Sequence, residues 1–267
     1  MESKNKTLFE LHTYLDVEGL PNEIINKILE KISDLEDIGY AGYLEKKWLE
    51  LTLKRLVLDK KGENQPFYYT EELNPKIKLI CEEAINKCGS YIKDKVHIFL
   101  FPTFDKFTIE KMNGVSGFCP WDNTNLIFIN FTNQGDKYLK ETIVHELAHA
   151  LSPYREADAP IGHWLILEGL AENFKDFIFP GSQSDWTKAI SEIESQKILT
   201  EINPLIKENN FEKYSEIFFG TGKYPLWAGY TIGYLLVKRY LEKFPNSDWK
   251  ELLRKNPEDI LKEININ

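Results

Sequence analysis

Tyr138 to Leu151 reads YLKETIVHELAHAL, and this stretch constrains the fold more than any other. Ile143, Leu147, Ala148, Ala150 and Leu151 recur at helical spacing, and Ser152-Pro153 ends the run. The stretch therefore predicts a helix packed into a core. The same helix carries His145, Glu146 and His149. Burying two imidazoles and a carboxylate together is costly unless something compensates them.

His145 and His149 are four residues apart. On a helix, such positions share one face and stand about 5–6 Å apart at Cβ. Two imidazoles so placed can bind one zinc ion at ~2.0–2.1 Å each. Glu146 is displaced round the helix from that face, but it can reach a water held by the metal and take its proton. About one chain in a hundred of this size and composition would carry the pattern by accident, so more than the motif is needed. Leu167 to Phe174, on the next predicted helix, supplies it. Glu168 follows His149 by nineteen residues, which leaves room for a connection and an antiparallel return. Glu172 lies one turn beyond, on the same side, where it can accept the free ring N–H of a metal-bound histidine. Two histidines and one glutamate leave a coordination position for water, the pattern of catalytic rather than structural zinc.

The rest of the chain predicts an α+β domain. Helices are expected over residues 21–60, with the polar run 59–66 as a boundary between an N-terminal helical region (1–66) and the main domain (67–267). Pro75 to Ile92 is amphipathic, with Ile77, Ile80, Cys81, Ala84, Ile85 and Cys88 on one stripe. Residues 96–101 and 126–131 read as strands, and 114–118 as a short extended piece. From about Asp136 the chain reads as helical, over 138–151, 161–177, 185–206 (either continuous or broken near Pro204), 227–244, 248–254 and 257–264. A small sheet followed by a mostly helical C-terminal half is the expected architecture.

The net charge of −9, without a basic cluster, argues against nucleic acid and anionic membrane as partners. No apolar run reaches the ~20 residues of a membrane span. The first sixteen residues lack the apolar core of a signal peptide. Cys81, Cys88 and Cys119 match no disulfide or zinc-knuckle framework and read as reduced thiols. Together these features lead to the expectation of a cytoplasmic protein. His12 and His97 have no partner at ligand spacing and read as structural.

The His-Glu-x-x-His helix followed by Glu-x-x-x-Glu resembles the gluzincin metallopeptidases, the thermolysin-like zinc peptidases. Gly-Val-Ser-Gly-Phe at 114–118, His-Glu-Leu-Ala-His-Ala, Glu-Gly-Leu-Ala-Glu and Gly-Tyr-Thr-Ile-Gly-Tyr at 229–234 resemble a bacterial family of predicted zinc-dependent proteases of undefined substrate. The resemblance covers roughly residues 75–262. It implies a zincin-like fold, with a small mixed sheet above the active-site helix. It also implies one zinc per chain on His145, His149 and Glu168, with Glu146 as general base and Glu172 in the place of the carboxylate that orients a ligand. An edge strand of such a sheet pairs with extended substrate. Either 114–118, with Gly117, or 126–131 fits that role.

The thermolysin pattern places a histidine downstream to stabilise the oxyanion, and here no histidine follows His163. Tyr230 and Tyr234, one turn apart, are the candidates to replace it; packing is their structural alternative. His163 reads either as a helix N-terminal residue or as a proton donor at the cleft rim. Arg155 is a candidate for binding a substrate or product carboxylate. The expectation is a peptidase, endo- or oligopeptidase in action, on a peptide or small protein. A zinc hydrolase of another amide or ester, and a non-catalytic zinc-stabilised interaction module, are the alternatives.

Overall fold

A computed structural model describes residues 8–15, 70–120, 123–130, 135–154 and 159–266. The helices expected over 21–60, the boundary at 59–66 and Arg155 lie outside these residues. The chain divides into two compact units, Met1–Ala150 and Leu151–Asn267.

The first unit holds a four-stranded mixed sheet in the order β1-β2-β4-β3. Its strands are β1 (Phe9–Thr13), β2 (Val96–Pro102), β3 (Val115–Phe118) and β4 (Thr124–Ile129). β1 and β4 flank β2 in parallel, and β3 pairs antiparallel with β4. β2 is buried along its whole length, as a central parallel strand with both faces covered should be. Pro102 closes it, where the missing N–H costs no central ladder bond. Helix α1 (Asn74–Cys88) buries Ile77, Ile80, Cys81, Ala84, Ile85 and Cys88, the stripe read from the sequence. A short helix α2 (Lys106–Lys111), capped by the Asp105 side chain on the Thr108 N–H, precedes the turn into β3. That turn uses Asn113 and Gly114, both at positive φ (56° and 80°), a conformation that Asn and Gly adopt most readily. Helix α3 (Gly135–Leu151) packs against the sheet, where Asn125 of β4 donates to the Ile143 carbonyl at 3.2 Å.

Two strand expectations are sharpened here. β1 was not anticipated, although Phe9, Leu11 and Thr13 alternate with Glu10 and His12. β4 is interior, between β2 and β3, whereas β3 is an edge of the sheet. Of the two candidates for an edge strand, 114–118 is therefore the edge.

The second unit is helical among the described residues. Its elements are α4 (Ile161–Ile178), α5 (Glu192–Ile202), α6 (Phe211–Phe219), α7 (Ala228–Lys243), α8 (Trp249–Leu252) and α9 (Pro257–Glu263). The helix expected over 185–206 begins later than its expected start and ends at the break expected near Pro204. Residues 185–188 form one 3-10 turn and 203–205 another, and α5 starts after Ser191, whose hydroxyl accepts from the Glu194 N–H. Helix α6 was not anticipated. α4 and α7 cross at close range through glycines. A Cβ on Gly169 would strike the Gly233 carbonyl, and one on Gly233 would strike the Leu165 carbonyl. Gly233 thus serves backbone-to-backbone packing. Among the described residues no helix is long and apolar enough to cross a membrane.

Candidate metal centre

Helix α3 presents His145 and His149 from consecutive turns. Their Nε2 atoms lie 3.2 Å apart, with ring centroids at 4.9 Å and an interplanar angle of 74°. Two ligands bound to a tetrahedral zinc at ~2.0–2.1 Å are separated by about 3.3–3.4 Å. The two nitrogens are thus spaced as two corners of such a site, and both are borderline-soft donors suited to zinc. The pair fits the ion.

Glu146 is 6% exposed. Its side chain occupies the space beside the backbone of Gly117 on the edge strand. A Cβ built on Gly117 would lie 2.5 Å from Glu146 Oε1 and 2.7 Å from its Cδ, closer than real Cβ atoms stand to neighbours. Glycine at 117 is the condition for Glu146 to lie against β3.

In the second unit, α4 buries Glu168 and Glu172 (8% and 1% exposed). The charge of Glu168 acts on Tyr214 of α6, whose phenol is pushed well above its ordinary value, first by burial and then by that carboxylate. Glu172 accepts from Lys175 Nζ at 2.5 Å and from Trp186 Nε1 at 2.8 Å. Lys175 is itself buried (1% exposed), donates to Ser184 and stands 5.7 Å from the Trp186 ring centroid. Asn173 fastens α4 to α7 by donating to the carbonyls of Gly169 (2.8 Å) and Tyr234 (3.0 Å).

The two candidate tyrosines differ. Tyr234 donates its hydroxyl to Asp176 Oδ2 at 2.9 Å, and burial followed by that hydrogen bond raises its pKa. Tyr230 lies with its ring edge-on to Phe218 at 5.2 Å and Phe219 at 6.4 Å. His163 sits in the first turn of α4, its Nε2 3.7 Å from Glu258 Oε1.

Sequence reading passed over Lys175, Trp186, Asp176 and Tyr214. Lys175 carried a signal, since it stands three residues after Glu172 on one helix face. Trp186, Asp176 and Tyr214 meet their partners only through tertiary packing.

A family model described as "Predicted Zn-dependent protease (DUF2268)" matches residues 77–262. The chain belongs to this family. A comparison with curated proteins found no match.

Proposed function

We propose that the protein is a zinc-dependent metallopeptidase in which His145, His149 and Glu168 hold one catalytic zinc. The observation that carries this reading is the histidine pair on α3. Its nitrogens stand at the spacing of two tetrahedral ligands, and Glu146, the next residue after His145, rests against the edge strand. Membership of a family described as predicted Zn-dependent protease supports it. Zinc bound there would supply a Lewis acid that polarises a carbonyl and lowers the pKa of water toward neutrality.

The chain's own groups do the rest. The backbone of β3, with Gly117 at its centre, aligns an extended peptide or small-protein substrate by strand addition. Glu146 accepts a proton from the attacking water and delivers it to the amine nitrogen as the C–N bond breaks. Tyr230 donates to the developing oxyanion. Tyr234, the second candidate, donates its hydroxyl to Asp176. Glu172, fixed by Lys175 and Trp186, is the carboxylate that orients a ligand imidazole. His163 is assigned as a proton donor at the cleft rim, and Arg155 as the binder of a substrate or product carboxylate. An edge strand that aligns extended substrate suits an endo- or oligopeptidase. Cys81, Cys88 and Cys119, which form no disulfide among the described residues, support a reducing, cytoplasmic setting.

The test is zinc content by elemental analysis together with cleavage of a quenched-fluorescent peptide library. His149→Ala and Glu168→Ala should each lose one zinc per chain relative to wild type and all cleavage. Unchanged metal content in both variants would refute the ligand set. A zinc-loaded wild type that cleaves nothing would refute the peptidase.

A further inference from the structure

Strands β1 and β2 bring together a second set of metal-type donors, from parts of the chain 85 residues apart. Glu10 and His12 are two apart on β1 and so project from the same face. His97 of β2 is in register with Glu10, which places it on that face as well. His12 Nε2 and His97 Nδ1 are 3.3 Å apart. Glu10 Oε1 lies 3.8 Å from His12 Nε2. One ligand atom from each of the three residues falls within 4.8 Å of the others.

We propose that Glu10, His12 and His97 form a second divalent-cation site, of zinc type, that clips β1 to β2. The spacing of the two nitrogens matches the ~3.3–3.4 Å expected between two ligands of tetrahedral zinc, as at the catalytic helix. Imidazole and carboxylate donors together suit zinc rather than magnesium or calcium. Both histidines are buried, at 5% and 3% exposure. The ring of His12 is fixed by stacking on Phe99, 4.3 Å between centroids. Glu10 has two oxygens and divides them: Oε2 faces Lys95 Nζ at 3.6 Å, and Oε1 turns toward His12. The Glu10 side chain is 47% exposed, which gives the ion an entry path and leaves the fourth position to water. Zinc here clips the two strands, because Phe9–Thr13 and Val96–Pro102 lie far apart along the chain and a cross-link between them acts on the folded state alone.

The test counts zinc in the full chain equilibrated with buffered zinc. The variant H145A/H149A should retain one zinc per chain, and adding His97→Ala should remove it. No zinc in H145A/H149A would mean that His12 and His97 share only a proton, and would overturn the site. One zinc surviving His97→Ala would overturn it equally. Glu10→Gln, at an exposed side chain in the otherwise intact protein, provides a variant that does not disturb the core. It should weaken one of two zinc equivalents by at least ~10-fold; two equivalents of unchanged affinity would refute the proposal.

Discussion

The carboxylate of Glu146 fills the space that a side chain on Gly117 would need. The residue assigned as general base is therefore positioned by an absence of atoms on the neighbouring strand. The edge strand and the Glu146 side chain are packed as one unit, so a substrate paired to β3 would lie next to Glu146.

Gly117→Ala should consequently impair turnover without touching the metal ligands. The added methyl would displace the Glu146 carboxylate by about 1 Å, and a misplacement of that size costs on the order of 10²-fold. Steady-state kinetics with parallel zinc analysis checks this. Full kcat in the alanine variant would show that Glu146 does not need this position.

Glu146→Gln keeps the size of the side chain and removes its basicity. Zinc content should be unchanged, and kcat should fall by roughly 10²–10⁴-fold. A glutamine variant as active as wild type would remove Glu146 from the chemistry.

The two tyrosines should separate in their effects. Tyr230→Phe is expected to lower kcat with little change in KM, since an oxyanion bond forms mainly in the transition state. Tyr234→Phe removes the hydrogen bond to Asp176 and should cost about 1 kcal/mol of stability. Denaturant titration and kinetics on both variants give the comparison; a kcat loss confined to Tyr234→Phe would reverse the assignment.

Lys175 and Glu172 form a buried ion pair at 2.5 Å. Lys175→Met removes the ammonium that donates to the buried Glu172 carboxylate, at a cost of about 3–5 kcal/mol. The double change Lys175→Met with Glu172→Gln should recover much of that loss. Urea midpoints of wild type and the two variants decide the matter, and a Lys175→Met protein as stable as wild type would contradict it.

Burial pushes the Cys81 and Cys88 thiols from 9.0 up to about 12. The folded chain keeps protons that the unfolded chain gives up above about pH 9. The stability from these thiols is complete below that pH and is lost as pH rises toward 12. In native protein near pH 8 both should resist a thiol reagent and react once urea unfolds the chain. Fast labelling of either in the native state would contradict this.

Much of this architecture is legible in the sequence because it rests on local periodicity. The α1 stripe, the strands around Phe99 and Phe128 and the helix of His145 and His149 each follow from spacing within one element. What escaped depends on distant partners. β1 is a five-residue strand whose place is set by pairing with β2, and the edge position of β3 follows from topology rather than composition. His12 and His97 each look isolated along the chain because a parallel pairing brings them together. The helix starts at Glu192 rather than Asp185 because the Ser191 hydroxyl accepts from the Glu194 N–H and caps it there.

The parallel pairing of β1 with β2 also sets an order of events during synthesis. Phe9–Thr13 leaves the ribosome about 85 residues ahead of its hydrogen-bonding partner. During that interval its backbone groups face water or other chains. The sheet gains this strand only when a large loop closes, which makes the step slow relative to the local helices. Conditions that delay the arrival of β2 therefore expose the nascent chain to strand pairing with the wrong neighbour.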